Sequence, residues 1–403
     1  MNKNIRVLHI GKYYPPFAGG IEHFLADLLP ALQQQGVTAA ALVHDEQPRR
    51  GGQRPVATDH PPIYRAPSYG RLLYAPVSPT FLFWLSRAIQ EFQPDLLHLH
   101  LPNTSAFWAL MLPAARRLPW VIHWHADVVA STLDRRLAIA YRLYRPFEQR
   151  LLAASRAIIA TSPTYLAASA ALAPWRERCH VVPLGLDPAR IPDPDPVVLE
   201  CAEAAWGCES EGYRRFRVLA IGRLTYYKGH DILIQAAADL PNTQALIVGT
   251  GEQRNRLEAL IQSLSLNESV RLPGFQSEAD LNALLATCDV LCLPSLERTE
   301  AFGLVLLEAM RFGKPVVVSD ISGSGVGWVV DQAGQGLKVP VGDAQALAAA
   351  LRALQNDSVK RTKLGQAGAT ALREQFGIEP VAAVITNLYG WLTHSANGFH
   401  PSQ

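Results

Sequence analysis

The sequence has few cysteines and lacks any long apolar run. No cysteine stands in a C-x-x-C pair, which argues against a disulfide framework and against a zinc ribbon. No stretch approaches the roughly 20 apolar residues that span a bilayer. The N-terminal apolar run Ile5–Ile10 is short and is followed at once by Gly11 and by Pro15–Pro16, unlike a signal peptide. We therefore expect a chain that stays in the cytoplasm. The five cysteines are Cys179, Cys201, Cys208, Cys288 and Cys292.

No charge of one sign predominates. The 37 Lys and Arg residues against 35 Asp and Glu give a net charge of +2, so no global basic field predicts a nucleic-acid partner. Hydrophobic residues make up 49% and charged residues 18%, which excludes a disordered chain. A length of 403 residues favours two domains over one.

Short apolar runs alternate with amphipathic helical patterns along the whole chain. This alternation predicts an α/β fold whose parallel sheets are covered on both faces. Four prolines interrupt regular structure between Asp187 and Pro196, after which the pattern restarts at Arg217. A last helical pattern, Ile378–Leu392, follows an already complete second domain. The predicted strands are Arg6–Ile10, Thr38–Val43, Asp95–His100, Val121–Trp124, Ala157–Thr161, His180–Pro183, Arg217–Ile221, Ala245–Val248, Val270–Leu272, Val290–Leu293 and Pro315–Ser319.

Ligands bind beyond the carboxyl ends of parallel strands, and in the first half two such positions stand out. Gly19 and Gly20 begin a helix, where a phosphate can approach backbone N–H groups, although a glycine-rich turn explains them equally well. His125 follows a strand and could bind a substrate hydroxyl, or could be a polar strand end held by Asp127. Neighbouring histidines share one face of the sheet, but no carboxylate or cysteine cluster completes a ligand set, so we expect no metal. These histidines are His98, His100, His123 and His125.

In the second half, two loops carry charged residues. Arg223 and Lys228 lie between a strand and a helix. Two cations at that place favour a pyrophosphate site over the alternative, a solvated surface loop. Glu300 follows a strand, and Glu308 lies eight residues on, which is about 12 Å along a helix predicted to begin near Phe302. Glycosidase carboxylates lie roughly 5–9.5 Å apart, so this pair is better suited to holding two ends of one ligand. A helix cap and a surface role are the alternatives for these glutamates.

Taken together these motifs resemble glycosyltransferase family 4. Glu300 and Glu308 form its E-x7-E motif, in the right order and spacing with Gly19–Gly20, His125 and the Arg223 to Lys228 loop. The resemblance covers essentially the whole chain. It implies the GT-B fold, with two Rossmann-like, doubly wound domains facing across a cleft. Accordingly, we expect an acceptor-binding domain at 1–187, a nucleotide-sugar-binding domain at 188–377 and a C-terminal helix at 378–403 that crosses back to the first domain.

The resemblance also implies a role for each site residue. Glu300 would hold donor sugar hydroxyls and Glu308 the ribose, while Arg223 and Lys228 would bind the pyrophosphate. His125 would lie near the reacting carbon of the sugar. The backbone of the remaining residues would approach the sugar and phosphates: Gly19, Gly20, Phe302, Gly303 and Leu304.

Members of this type are retaining enzymes, so the resemblance implies a metal-independent hexosyltransferase with no resident cofactor and no protein nucleophile. Many relatives carry a glutamate after a glycine turn where this chain has Ile321–Trp328, which contains no acid. This turn and the longer motif Glu297–Gly303 resemble the corresponding motifs of transferases in O-antigen and exopolysaccharide assembly. Some of those use GDP-mannose or GDP-rhamnose, which we expect here ahead of a UDP-hexose.

The expected acceptor is a polyprenyl-linked or other saccharide. Residues 133–156 form a basic amphipathic helix, which favours peripheral contact with an anionic inner membrane surface over a merely solvated face. A nucleotide-sugar epimerase, a phosphorylase and a non-catalytic sugar-binding module remain alternatives, whereas the glycine spacing lacks the G-x-G-x-x-G of a nicotinamide-dependent oxidoreductase. Asp193-Pro-Asp195 matches a metal-binding D-x-D pattern but lies in the Pro-rich linker, so we interpret it as chance.

Overall fold

The computed structural model describes residues 4–17, 19–45, 53–55, 61–72, 75–128, 135–207 and 214–395. The chain divides into two compact units. The first comprises Met1–Gly185 with Ile378–Gln403, and the second comprises Leu186–Gly377. The first boundary falls two residues before the one that the sequence predicts.

A parallel sheet of seven strands forms the centre of the first unit, in the order β3-β2-β1-β6-β7-β8-β9, and β4 and β5 form a small antiparallel pair. Labels follow chain order. The strands are β1 Arg6–Ile10, β2 Thr38–His44, β3 Ile63–Ala66, β4 Arg71–Leu72, β5 Ala75–Pro76, β6 Leu96–Leu101, β7 Trp120–Trp124, β8 Ala157–Ala160 and β9 Cys179–Val181. The helices are α1 Gly20–Gln34, α2 Phe81–Phe92, α3 Trp108–Met111, α4 Pro113–Arg116, α5 Arg135–Ala154, α6 Pro163–Ala168 and, from the chain end, α15 Ile378–Ser395.

The second unit is built on a parallel sheet of six strands, in the order β12-β11-β10-β13-β14-β15. Its strands are β10 Phe216–Ile221, β11 Thr243–Val248, β12 Val270–Gly274, β13 Val290–Leu293, β14 Val316–Ser319 and β15 Gly336–Val339. Its helices are α7 Pro196–Ala205, α8 His230–Ala237, α9 Arg254–Ser263, α10 Glu278–Thr287, α11 Val305–Arg311, α12 Val326–Ala333, α13 Ala344–Asn356 and α14 Ser358–Ala371.

The central strands are continuous apolar runs because both faces of each sheet are covered. Every residue of β6, β7 and β14 is buried. Two strands that the sequence does not predict, β3 and β15, lie at sheet edges and are partly exposed. Half-buried edge strands of four residues lack the long apolar run that marks the central ones.

Strand order reverses direction at one place in each sheet. In the first sheet the chain moves outward from β1 to β3 and then returns to place β6 on the other side of β1. In the second sheet β13 returns to the other side of β10 in the same way. The crevice at such a switch point is where open parallel sheets bind ligands. The loops after β1, β10 and β13 therefore lie where a ligand is expected to bind.

The C-terminal helix α15 completes the first unit rather than the second. It packs against α1, and the fully buried Tyr389 hydroxyl hydrogen-bonds to Nδ1 of His98 on β6. This packing accounts for the helical pattern that follows the second domain in the sequence. Within the described ranges, none of the helices combines the length and the apolar character needed to cross a bilayer.

Candidate functional site

The loop after β10 carries Lys228 to the end of the neighbouring strand. Tyr226–Lys228 forms one 3₁₀ turn before α8 begins at His230. Gly229 has a φ of 64°, and a Cβ there would collide with the carbonyl oxygen of Pro294. Only glycine fits this conformation and this approach, so the loop lies directly against the chain that leaves β13.

Lys228 and Glu300 form an ion pair at this edge of the sheet. Nζ lies 2.6 Å from Oε2, and the two side chains are 13% and 12% exposed. The same oxygen accepts a hydrogen bond of 3.3 Å from Ser295 Oγ. Burial alone would lower the pKa of Lys228, but the charge and hydrogen bond of Glu300 outweigh burial and raise it. The cation and the carboxylate that the sequence places on separate loops are therefore one charged pair.

Arg223 lies on the exposed side of the same loop. Its Nη2 donates a hydrogen bond of 3.1 Å to the hydroxyl of Tyr227. The carbonyl of Tyr227 accepts a bond of 2.7 Å from the N–H of Leu296, which joins the loops after β10 and β13. Arg223 and Lys228 thus belong to one connected group, with Arg223 toward solvent.

The loop of Glu300 is held by the Gly-Ser stretch that replaces the expected acid. Ser324 Oγ donates a hydrogen bond of 2.5 Å to the carbonyl of Glu300, and the N–H of Gly325 donates one of 2.8 Å to the carbonyl of Ala301. In the sequence this stretch is visible only as a departure from the family pattern, and the contact of Ser324 is not predicted. No spacing rule could identify it, because the contact joins two loops 24 residues apart.

The turn between Glu300 and Glu308 differs from the prediction. The helix predicted to begin near Phe302 begins at Val305, because Gly303 has a left-handed φ of 77° that no helix continues through. The stretch between the two glutamates is thus part loop, and the helical estimate of about 12 Å does not apply to it. Phe302 is buried, Leu304 caps α11, and Glu308 is half-buried in the first turn. N–H groups at a helix start lack intrahelical partners, so this turn offers donors to an anion.

In the first unit, Gly19 and Gly20 lie at the start of α1, as predicted. Gly19 is the N-cap residue with an extended backbone, and α1 begins at Gly20. The carboxylate of Glu22 is buried in the first turn and packs against Gly19. Burial raises the pKa of Glu22. The sequence does not predict this contact, which places a carboxylate where a phosphate would approach.

His125 follows β7 and is directed into the unit. Its N–H donates to the carbonyl of Leu101 at 3.0 Å, and its Nε2 lies 2.9 Å from Nδ1 of His100. The residue is 4% exposed, and burial lowers its pKa well below 6.5. Its nearest polar partner is thus another histidine.

Asp127 was the alternative partner for His125, but the ring nitrogens of His125 do not use it. The carboxylate of Asp127 accepts hydrogen bonds from Trp124 Nε1 at 2.8 Å and from Ser169 Oγ at 2.6 Å. Among the described residues, Nδ1 of His125 has no hydrogen-bond partner.

His125 belongs to a cluster of five buried histidines from three adjacent strands. We call it the histidine cluster. The rings on β6 and β7 share one face, as alternation along a strand predicts. Its fifth member comes from β1, where His9 lies opposite His98 in the strand register, and only the strand order reveals that contact. Burial lowers the pKa of every ring in the cluster, so all five are uncharged at neutral pH. The members are His9, His98, His100, His123 and His125.

The rings of His123 and His125 are not oriented to share a metal ion. Two groups of three histidines bring nitrogens within 4.8 Å of one another. A metal ion bound by imidazole lies near the ring plane, about 2.0–2.1 Å from the nitrogen. The rings of His123 and His125 are stacked 4.3 Å apart with 3° between planes, so their lone pairs run side by side. These rings would have to turn before they could share an ion.

The D-x-D pattern has structural contacts in the linker. Asp195 caps α7 by accepting the N–H of Val197 at 2.8 Å, and Asp193 pairs with Arg311 at 3.0 Å. Helix capping and an ion pair account for both residues.

Comparison with known proteins agrees with this geometry. Residues 19–185 match the glycosyl transferase 4-like domain, and residues 211–371 match the glycosyl transferases of group 1. The O-antigen chain mannosyltransferase C of Escherichia coli is 30% identical over 399 residues, which cover 97% of this chain and 100% of that protein. The chain belongs to glycosyltransferase family 4.

One further relative and one solved structure are also similar to this chain. The D-rhamnosyltransferase WbpZ of Pseudomonas aeruginosa is 29% identical over 387 residues, 92% of each chain. The crystal structure of HepE from Anabaena in complex with UDP superposes with a TM-score of 0.72 at 21% identity, covering 96% of this chain and 100% of that one. The predicted family and the GT-B fold of two Rossmann-like domains are confirmed, and the protein is a glycosyltransferase.

Proposed function

We propose that this glycosyltransferase moves a hexose from a nucleoside diphosphate sugar, with retention of configuration and without a metal ion. The observation that supports it best is the ion pair of Lys228 and Glu300 at the switch point of the second sheet. A nucleotide sugar carries an anionic phosphate beside sugar hydroxyls. It therefore offers each member of the pair a new partner, a phosphate oxygen for the ammonium and hydroxyls for the carboxylate.

The same group would stabilise the departing diphosphate. Breaking the bond from the anomeric carbon to the phosphate oxygen leaves negative charge on the diphosphate. Lys228 and Arg223 supply two cations and the turn before α11 supplies N–H donors, and each such contact can be worth about 2.7–4 kcal/mol in a transition state. Fixed cations can take the place that a metal ion has in other transferases, so we propose no cofactor.

In the proposed step, the acceptor hydroxyl attacks the anomeric carbon from the face that the diphosphate leaves. The hydroxyl proton passes to the departing phosphate oxygen, so atoms and charge balance without a protein base. We nominate no protein nucleophile.

The other candidate residues keep the roles that the family resemblance implies. Glu308 would bind the ribose, and His125 a sugar hydroxyl. A phosphate would reach the start of α1 only if the buried carboxylate of Glu22 turns away or takes up a proton. Backbone groups would contact the sugar and phosphates at Gly19, Gly20, Phe302, Gly303 and Leu304.

The relatives guide the choice of donor and acceptor. Their names, a mannosyltransferase of the O-antigen chain and a D-rhamnosyltransferase, support GDP-mannose or GDP-rhamnose as donor. The UDP complex of HepE makes a UDP-hexose the alternative. The acceptor we propose is a polyprenyl-linked or other saccharide in lipopolysaccharide or exopolysaccharide assembly.

Helix α5 supports peripheral contact with an anionic membrane surface. Leu143 is 70% and Phe147 44% exposed, one helical turn apart, and Arg142, Arg145 and Arg150 are exposed around them. Exposed apolar side chains flanked by arginines are typical of helices that lie on anionic lipid. Residues 133 and 134 of the predicted segment lie outside the described residues. Co-sedimentation with phosphatidylglycerol vesicles should weaken when Leu143 and Phe147 are both replaced by serine; unchanged sedimentation would contradict this contact.

The test of the proposed function is a transfer assay in chelator, with GDP-mannose, GDP-rhamnose and UDP-glucose offered in turn and a lipid-linked saccharide as acceptor. We expect acceptor-dependent transfer, and the anomeric coupling in the product should match that of the donor. Asp193→Ala should transfer at the wild-type rate. A requirement for added metal or an inverted product would contradict the mechanism. Donor conversion without acceptor would instead identify an epimerase or phosphorylase, and affinity without turnover a sugar-binding module.

A further inference from the structure

Three rings of the histidine cluster form a hydrogen-bonded row. His9 Nδ1 lies 3.0 Å from His100 Nε2, and His100 Nδ1 lies 2.9 Å from His125 Nε2. The centroids are 5.3 and 5.2 Å apart, with 29° and 13° between planes. The short nitrogen separations at these long centroid distances mean that the rings meet edge to edge. The row runs from the middle of the unit to the end of β7.

The other two rings hold this row in place. His98 stacks on His100 with centroids 4.7 Å apart and 8° between planes, and His123 stacks on His125 at 4.3 Å and 3°. Tyr389 of α15 bonds to the far edge of His98. The row is thus backed by a second layer, which limits rotation of each ring about its side-chain bonds.

A neutral imidazole has one N–H and one bare nitrogen, so the protons of the row must all point the same way. In one order they point toward His125, and its own N–H is then at Nδ1. In the other order the protons point toward His9, and the N–H of His9 is then at Nε2. Both end nitrogens are buried and have no hydrogen-bond partner among the described residues.

The two ends of the row differ in their position in the sheet. His9 lies within β1 and is 0% exposed, whereas His125 follows the end of β7, where a substrate oxygen would arrive. Buried N–H groups without a partner are rare in proteins, and bare acceptors less so. Only the order that points toward His125 places the terminal N–H of the row at the end of a strand, where water or a substrate oxygen can accept its hydrogen bond.

We propose that His9 and His100 are positioning residues that hold His125 in the Nδ1–H tautomer. His125 then donates a hydrogen bond to a sugar oxygen and takes no proton from the acceptor. An uncharged donor also adds no full positive charge beside the anomeric carbon, where positive charge develops. The inference rests on the proposed function only for the identity of the oxygen that accepts this hydrogen bond.

The first test is spectroscopic and needs no donor. Two-bond proton–nitrogen spectra of the full chain with isotopically labelled histidine report which ring nitrogen carries the proton. We expect His125 to be protonated at Nδ1, and its signal is assigned by its loss in His125→Gln. In His9→Leu the row loses its first proton donor, and we expect His125 to become a mixture of tautomers.

The second test compares two replacements of the same ring. His9→Leu should lower kcat for sugar transfer about tenfold, the effect of losing one directed hydrogen bond, with the KM for donor within about twofold. His9→Asn keeps an amide N–H near the position of Nδ1 and should restore both kcat and the single tautomer. A purely structural role of His9 would not change the tautomer of His125.

Protonation of wild-type His125 at Nε2 would overturn the inference. So would an unchanged tautomer in His9→Leu, or equal loss of kcat in His9→Leu and His9→Asn. A wild-type protein that transfers no sugar would contradict the proposed function instead, and the wild-type spectrum would still decide the tautomer.

Discussion

The two units bury ionisable groups at the carboxyl ends of their sheets in opposite ways. The second unit pairs them, with the ammonium of Lys228 against the carboxylate of Glu300. The first unit keeps them uncharged: burial lowers the pKa of every ring in the histidine cluster. A charged side chain in an ion pair can exchange its partner for an ionic ligand, whereas a neutral ring can only donate or accept a hydrogen bond. The difference supports the proposed binding of the diphosphate by Lys228 in the second unit and of a sugar hydroxyl by His125 in the first.

Glu148 extends the contrast within the first unit. Its side chain on α5 is fully buried, and neither oxygen has a hydrogen-bond partner among the described residues. Burial, with a smaller contribution from the charge of Asp127, raises its pKa to about 7. Burial thus favours the protonated form of this carboxyl group, whereas the charge of Glu300 is balanced by a lysine.

The largest expected effect is a selective loss of stability of the first unit in mild acid. The cluster histidines have native pKa values below 6.5, so below that pH the unfolded chain binds more protons and stability falls as pH falls. At one pH unit below its unfolded pKa, each histidine that stays neutral in the native state lowers the free energy of unfolding by about 1.4 kcal/mol. Five such histidines lower it by roughly 7 kcal/mol at pH 5.5. Hydrogen exchange of the intact chain at pH 7.5 and 5.5, corrected for intrinsic rates, measures this unit by unit.

The second unit is the internal control for that experiment, because it contains one histidine, His230. Equal loss of protection in both units at pH 5.5 would contradict the assignment of the acid sensitivity to the histidine cluster.

Glu148→Gln tests the second neutralised group. Between the unfolded value of 4.5 and the native value of about 7, the native state binds more protons, so stability falls as pH rises through this window. The variant should be more stable than the wild type at pH 8, by up to roughly 3 kcal/mol, and should lose this advantage by pH 5. Urea unfolding at both pH values measures the difference. Glu374→Gln, at an exposed position, is the matched control; a Glu148→Gln that behaves like it would refute the assignment.

Breaking the ion pair should affect catalysis rather than folding. Lys228→Ala and Glu300→Ala are each expected to lower kcat/KM for transfer at least about 100-fold, because each removes a contact proposed to charge or to hydroxyls in the transition state. Steady-state transfer rates measure this. Lys338 forms a similar pair with Asp331 at 2.7 Å, away from the switch point, so Lys338→Ala is the control and should transfer normally. Near-wild-type turnover in either site variant would remove its assigned role.

The smallest effect is expected at Ser324, which holds the backbone of Glu300. Ser324→Ala removes one hydrogen bond to the loop, and we expect kcat to fall about three- to tenfold. Ser263 Oγ makes a similar bond to the carbonyl of Leu260 on an exposed helix, so Ser263→Ala should leave kcat unchanged. Equal kcat values for the two variants would show that Ser324 does not position Glu300.

Local patterns predicted the central strands, the family and the charged loops, because each is coded by neighbouring residues. The pairing of Lys228 with Glu300, the role of Ser324 and the row through His9 were not predictable in this way. Each depends on which strands lie side by side, and β1, β6 and β7 come together only through the doubly wound order. The start of α11 was predicted too early for a local reason, because the sequence does not show that Gly303 adopts a left-handed φ.

The central claim is that the second unit binds a nucleoside diphosphate through Lys228 without a metal. Thermal unfolding in chelator with GDP, UDP and ADP in turn tests it most directly. A ligand at 100 times its Kd adds about 2.7 kcal/mol, a shift of a few degrees. We predict that GDP stabilises the wild type and that Lys228→Ala loses the shift, while selective stabilisation by UDP would keep the site and change the donor. No shift of the wild type with any of the three nucleotides would contradict the account.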